Sequence, residues 1–155
     1  MKATADVLDE YGDRAAVCLL EFRSFGRTAF SGRVATVRCY EDNVLLRKCL
    51  EAPGDGRVLV VDGGGSRRCA LLGDNIANLA LDNGWAGVVI HGCVRDAAAL
   101  DALELGVKAL GTNPRPSRKD GAGAVGVVLE FGSVVFEPGA RLYADDDGVV
   151  VVSTR

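Results

Sequence analysis

This chain predicts a sheet-rich α/β domain, parallel in its middle and antiparallel toward its end. Three observations carry that reading. Apolar runs at 57–61, 86–90 and 107–110 alternate with helical spacing at 74–81 and 97–103, a βαβαβ rhythm that favours parallel strands joined by right-handed crossovers. Short apolar runs at 127–129, 134–136 and 149–152 are separated only by turn residues, so they pair antiparallel. The 20 glycines against five Phe, three Tyr and one Trp imply many tight turns and a core of Val, Leu and Ala. With 155 residues, 48% of them hydrophobic, the chain suits one domain spanning 1–155.

Taken in order, Thr4 or Asp6 is placed to cap a short helix through Leu8 and Tyr11, and 15–20 reads as an apolar strand or buried segment. Residues 31–39 alternate as a half-exposed strand, whereas 43–50 have helical spacing. Pro53-Gly54-Asp55-Gly56 breaks the chain before 57–61, whose lack of polar alternation marks a central strand. Gly63-Gly64-Gly65-Ser66 must turn. A helix from Asp74 or Asn75 through Leu81 is stopped by Gly84, and a second follows Asp96 and ends at Gly106. Residues 111–126, with Pro114, Pro116 and scattered glycines, predict a long mobile loop.

Charge and cysteine usage exclude several functions. A formal net charge of -3 from 18 basic and 21 acidic residues leaves no broad positive surface, so direct nucleic-acid binding is not expected. The five cysteines (18, 39, 49, 69, 93) are odd in number and lack CxxC spacing; they read as core thiols of a reducing cytoplasm. A zinc site is not expected, since His91 is the only histidine. No run approaches about 18 apolar residues, and the start carries Asp6 and Asp9 rather than an apolar signal segment. The expected location is cytoplasmic, with no membrane association.

The polar residues that carry chemistry fall where strands end, the place α/β folds put ligands. Asp74 and Asp96 each stand before helical sequence, where an aspartate serves either as a cap or as a ligand. Arg95 can hold a planar carboxylate by two bonds, and Asp96 beside it can anchor a hard divalent cation; together they would bind an oxo-acid. The amides of Gly73, Asp74, Asn75 and Ile76 lie at a helix start and can donate to a substrate carboxylate. Gly63 to Gly65 either approach the same ligand or simply turn the chain; neither GxxxxGK nor GxGxxG is present. His91 is either a proton carrier or a packed histidine, and Cys93 shares its face of one strand without a third group to activate it. Arg115, Arg118 and Lys119 form either a solvated loop or an anion-attracting lid.

Asp62-Gly63-Gly64-Gly65-Ser66, Leu72-Gly73-Asp74, Asn83-Gly84-Trp85, Gly92-Cys93-Val94-Arg95-Asp96 and Ala109-Leu110-Gly111-Thr112-Asn113-Pro114 closely resemble the RraA-like family. The closing 143–149 run, the opening 5–11 and the stretch 36–43 extend the likeness from about Thr4 to Val152. The resemblance implies a swivelling β/β/α domain with a central sheet, flanking helices and C-terminal antiparallel strands, assembled as a homotrimer. It also implies two activities. One is divalent-metal-dependent cleavage of 4-hydroxy-4-methyl-2-oxoglutarate to pyruvate, or decarboxylation of oxaloacetate, with Mg²⁺ or Mn²⁺. The other is inhibition of an RNase E-type endoribonuclease as a protein partner. The family signature, an Asp, twenty residues, then Arg-Asp, is met by Asp74 and Arg95-Asp96. By resemblance, Gly73 to Ile76 and Arg95 hold the substrate, with Asp74, Arg95 and Asp96 catalytic and Asp96 on the metal. The aldolases commonly add an acid three positions later, where this chain has Ala99, so aldol cleavage is expected to be weak relative to decarboxylation. Methyl transfer, a name attached to some relatives, is not expected without a nucleoside-binding signature.

Overall fold

The chain opens with helix α1 (Thr4–Tyr11), a 3-10 turn (Gly12–Arg14) and strands β1 (Ala15–Val17), β2 (Arg23–Gly26) and β3 (Phe30–Arg38). Helix α2 (Val44–Glu51) precedes β4 (Val58–Asp62) and β5 (Ala70–Leu72); α3 (Asp74–Asp82) precedes β6 (Gly87–Val94), and α4 (Ala97–Asp101) precedes β7 (Gly106–Thr112). The remainder is β: β8 (Ala124–Val125), β9 (Leu129–Phe131), β10 (Val134–Phe136), β11 (Arg141–Asp145) and β12 (Gly148–Val152). The structure, a computed structural model, describes residues 1–154. No helix among them is long and apolar enough to cross a membrane.

β3, β4, β6 and β7 lie side by side and parallel, with Val34 opposite Val58, Val58 opposite Gly87 and Gly87 opposite Gly106. β2 adds antiparallel to β7 at one side, while β11, β12 and β1 extend the other, also antiparallel. β4 shows how the layers arise from alternation. Leu59 and Val61 pack with Leu46, Leu50, Ala77, Ala80 and Leu100 of the helical layer. Val58 and Val60, on the opposite face, pack with Leu129, Phe136, Leu142 and Val149 of the β layer. Both faces are buried, which is why 57–61 lacks polar alternation. Each such Val or Leu contributes about 1.5 to 3 kcal/mol. The result is the expected mixed α/β architecture: a large central sheet with helices on one face and β structure on the other.

Lys108 is a charged residue on the β-layer side of the sheet, only 3% exposed. Its Nζ donates to Ser24 Oγ and to the Asp145 carbonyl, each at 2.7 Å. Ser24 lies on β2 and Asp145 on β11, strands well apart in the sheet order, so Lys108 fastens the sheet around the β-layer core. Burial lowers its pKa, opposed by the charges of Asp146 and Asp145. The Asp145 carboxylate in turn accepts from the Thr4 amide at 2.9 Å and the Thr4 hydroxyl at 2.7 Å. Thr4 therefore does not cap α1, whose N-cap is Ala3; it anchors the helix to β11 instead.

Other departures from the sequence reading have local causes. The apolar segment 15–20 supplies only the edge strand β1, and Leu19 is exposed. α4 ends at Asp101 rather than near Gly106, and the Asp101 carboxylate accepts from Gly26 on β2 at 3.3 Å. Residues 111–126 are tied down along their length. Buried Asp42 accepts the amides of Asp120 at 2.6 Å and Gly121 at 3.0 Å, and bridges join Asp42 to Arg118 and Ala70 to Pro116. Burial opposes ionisation of Asp42, but the amides of Val44, Asp120 and Gly121 outweigh it and hold the carboxyl below its usual range. Nearby Glu41, at φ 54, accepts from Arg68 Nε at 2.7 Å and Nη2 at 2.9 Å and from Ser66 Oγ at 2.6 Å. These donors, Arg68 first, depress its pKa to about 2.

Two stability measurements test this account. Lys108→Met keeps the apolar stem but removes both hydrogen bonds, and urea unfolding should show a loss of about 2 to 3 kcal/mol. Glu41 has a depressed folded pKa, so its stabilisation is present above its ordinary value of 4.5 and is lost as pH falls toward 2. The stability gap between wild type and Glu41→Gln should therefore be widest above pH 4.5 and close between 4.5 and 2. A gap independent of pH across that window would show that the charge of Glu41 is not what matters.

Candidate functional site

β6 hands the chain to Arg95, whose amide donates to the Leu72 carbonyl of β5 at 2.9 Å, and Asp96 then turns through a left-handed conformation, φ 61 and ψ 45. Aspartate tolerates that region better than most residues. The turn carries its carboxylate away from α4, which it does not cap with its side chain. Instead Asp96 Oδ2 accepts the Asp74 amide at 3.0 Å, the first amide of α3. Gly73 lies at the point of contact. A Cβ at position 73 would stand 2.6 Å from Asp96 Oδ2 and 3.3 Å from Arg95 Cγ, so glycine is required for close approach rather than for its backbone angles.

These residues border a cavity of about 200 Å³ at the carboxyl ends of the strands. Ala70, Leu72 and Ile76 supply apolar wall, and Gly73, Asp74 and Asn75 continue it at the start of α3. Arg95 and Asp96 border it from the end of β6; Asn43 and Arg47 come from the α2 region, and Pro116, Ser117 and Lys119 from the tied-down loop. All six residues assigned to the site from sequence thus meet around one space. With the Asp74 amide already taken by Asp96, the amides of Asn75 and Ile76 are the unsatisfied donors of the first turn. The Asp74 carboxylate accepts no hydrogen bond among the described residues. Arg95 Nη1 donates to the Pro114 carbonyl at 3.3 Å, a long bond that leaves the guanidinium available.

Asn43, Arg47, Pro116 and Ser117 were not marked as site residues by the sequence. Asn43 stands at the start of α2 as a cap residue would, yet its side chain makes no cap bond. Its Nδ2 donates to the Leu71 carbonyl at 3.1 Å and its Oδ1 accepts from Lys119 Nζ at 3.1 Å. Only a contact between residues 76 apart reveals this role.

The donor set was weighed against a divalent metal. No group of three or more His, Cys, Asp or Glu side chains among the described residues can hold one, so a closed protein cage is absent. Asp96 uses Oδ2 on an amide and leaves Oδ1 free. One carboxylate completed by water and substrate oxygens is a set that Mg²⁺ accepts, so an open Mg²⁺ or Mn²⁺ site at Asp96 fits the residues.

Other candidates lie elsewhere. Gly64 and Gly65, at φ 68 and 74, turn the chain around His91, whose carbonyl accepts the amides of Gly63 and Gly65; none of them borders the cavity. The His91 ring stacks on Phe131 with centroids 4.8 Å apart, and its Nδ1 is buried 3.5 Å from Asp62 Oδ1 without a hydrogen bond. All five cysteines are free, and burial raises the thiol pKa of Cys93 and, with nearby acidic groups, that of Cys39 to about 12. Neither is a thiolate nucleophile. Ala99 is exposed on α4, and the acids near it in sequence are engaged at β2 and beyond, Asp101 with Gly26 and Glu104 with Arg27.

Comparison with known proteins finds relatives over nearly the whole chain. The model of the RraA-like family, described as Aldolase/RraA, matches residues 3–151. A Geobacillus kaustophilus structure described as an S-adenosylmethionine:2-dimethylmenaquinone methyltransferase is 55% identical, with TM-score 0.97 over 99% of this chain and 96% of that one. The RNA-processing inhibitor RraA from Thermus thermophilus is 48% identical, with TM-score 0.94 over 98% and 93%. An unusual member of the RNase ES inhibitor RraA family from Streptomyces coelicolor is 31% identical, with TM-score 0.77 over 97% and 78%. With a family model spanning nearly its whole length and such relatives matching from end to end, the chain belongs to the RraA-like family.

Proposed function

We propose that this protein binds a short 2-oxo acid and, with Mg²⁺ or Mn²⁺, acts as a lyase that decarboxylates oxaloacetate or cleaves 4-hydroxy-4-methyl-2-oxoglutarate. The observation that carries this reading is the convergence of Arg95, Asp96 and the free Asn75 and Ile76 amides on one small cavity. In either reaction a carbon-carbon bond breaks and its electron pair remains on the carbon beside the carbonyl as an enolate. Protonation of that carbon then gives pyruvate. Arg95 and the two amides orient the substrate carboxylate and offset charge that develops beside it. Asp96 would hold the cation, which when bound supplies Lewis acidity toward the substrate carbonyl. Ala99 leaves the α4 side without an acid to take the proton of a 4-hydroxyl, so decarboxylation, which needs no such base, is the favoured reaction. Methyl transfer is not proposed, because the sequence carries no nucleoside-binding signature such as GxGxxG.

A second reading is supported by the relatives described as inhibitors of RNA processing: a regulator that binds an RNase E-type endoribonuclease through its outer surface. Val125 and Val128, each 54% exposed, are apolar residues such a surface could use. Both readings accommodate a homotrimer, in which a neighbouring copy could supply the acid absent at Ala99.

Asp96→Asn separates these possibilities. An asparagine carbonyl still accepts the Asp74 amide, so stability should hold, whereas metal-dependent pyruvate release should fall at least about a hundred-fold as the anionic ligand is lost. Asp96→Ala should lose activity and also about 0.5 to 2 kcal/mol of stability. Wild-type protein that releases no pyruvate above metal-only controls, yet inhibits the ribonuclease equally with and without Asp96→Asn, would leave the regulator reading standing alone. For assembly, light scattering at micromolar concentration should give three times the chain mass, and a monomer throughout would remove the trimer.

A further inference from the structure

A second cavity, of about 400 Å³ against about 200 Å³ at the strand ends, opens beside β3 and shares no lining residue with the first. It lies where two partners of β3 part company. β11 pairs with Phe30 to Arg33 and β8 with Val37 and Arg38; between them the Gly139 and Gly126 amides reach the carbonyls of Val34 and Thr36, at 2.8 and 2.9 Å. Ala35, Ala52, Trp85, Val125 and Pro138 give the space apolar walls. Arg57 and Trp85 stand just ahead of β4 and β6, so the cavity lies toward the amino ends of strands whose carboxyl ends carry the Asp96 site.

Three arginines form a row across adjacent strands at this place. Arg141 of β11 is directly opposite Arg33 of β3, and Arg57 immediately precedes Val58, the parallel partner of Val34. Gly32 lets the chain at Arg57 come this near, since a Cβ at position 32 would stand 2.3 Å from the Gly56 carbonyl oxygen. Like charges placed opposite each other in a sheet are destabilising. None of the three has a carboxylate partner among the described residues, unlike Arg27 and Arg68, which are paired with Glu104 and Glu41.

The two that border the cavity are held by neutral groups. Arg33 Nη1 donates to the Gly139 carbonyl at 3.1 Å. Arg57 donates through Nε to the Gly54 carbonyl and through Nη2 to the Pro53 carbonyl, each at 3.0 Å, with its guanidinium 4.8 Å from the centre of a Trp85 ring. Carbonyls orient a guanidinium without cancelling its charge, and each arginine keeps further donors. We infer that this cavity is a second ligand site, which takes a small amphipathic anion: an aromatic ring or branched chain against the apolar walls and a carboxylate or phosphate head on Arg33 and Arg57, with Arg141 adding to the field. The planar fork of arginine matches either head, and the volume suits one ring with a short chain. The site is independent of the reading of Asp96.

Trp85 is the only tryptophan of the chain and borders this cavity, so its fluorescence reports occupancy there. Titration with 3-phenylpropanoate and with phenyl phosphate should shift its emission saturably, and the tighter of the two identifies the preferred head; 3-phenylpropanamide, the neutral counterpart, should bind at least about ten-fold more weakly, the worth of a hydrogen bond to a charged group. Arg33 is exposed, so Arg33→Gln should fold normally and weaken the better anion about ten-fold, with Arg33→Lys restoring part of the loss. Arg23→Gln, on β2 and outside the cavity lining, should change nothing, and oxalate with Mg²⁺ should not displace the anion. A Trp85 emission that responds to neither anion would overturn the site. So would equal affinity for the neutral amide, equal weakening by Arg23→Gln, or displacement by oxalate, which would place the anion in the strand-end cavity. Emission that follows protein concentration instead of either anion would mark the groove as a contact between copies and overturn it as well. Saturable, Arg33-dependent binding in a protein that releases no pyruvate would uphold this site while removing the lyase activity.

Discussion

A parallel strand surrounded by crossovers has no face it can leave in water, and four such strands form the centre of this molecule. In β4 that constraint is met in full: Val58, Leu59, Val60 and Val61 are all completely buried, alternately toward helices and toward β structure. The helices must therefore occupy one side, and the carboxyl-terminal strands together with the β9–β10 hairpin must cover the other. The one arrangement that leaves polar groups free is at the strand ends, where side chains leave the sheet without entering either core. The cavity lies there for that reason.

At those ends, backbone geometry and chemistry require the same residues. The left-handed turn at position 96 admits few side chains, and an aspartate suits both the turn and the neighbouring amide of α3. Its bond to Asp74 holds two crossover segments together and directs the start of α3 into the cavity. Gly73 permits this approach because any side chain there would collide with the carboxylate. The site is therefore packed into position by the fold, with little left to side-chain flexibility.

Much of this was legible because burial leaves a pattern. Residues 57–61 announced a central strand by failing to alternate, and Gly84 marked the end of α3. β2 left no such mark: of Arg23, Ser24, Phe25 and Gly26 only Phe25 is buried, and the strand forms because β7 offers it an edge. β11 was hidden because its residues mix charge and apolar surface, and one of its two partners, β3, lies more than a hundred residues away. In the site, Asp74 and Arg95-Asp96 were visible as a motif and Lys119 only as one member of a loop cluster that reads either as solvated or as an anion-attracting lid, whereas Asn43 was not visible. Their roles arise from a contact across 76 residues, and a buried asparagine resembles a helix cap until its partners are known.

The network around Asp145 has a consequence for the life of the chain. Thr4 bonds to Asp145 across a separation of 141 residues, and β1 pairs with β12, so α1 and β1 are completed only by strands synthesised more than a hundred residues later. Lys108 likewise waits for the Asp145 carbonyl before its charge is fully satisfied. On the ribosome the parallel centre can assemble while α1 and β1 remain without partners, and the β-layer core closes only after residue 152 has cleared the exit tunnel. A chain truncated before β12 therefore leaves β1 unpaired and the β-layer core open to aggregation.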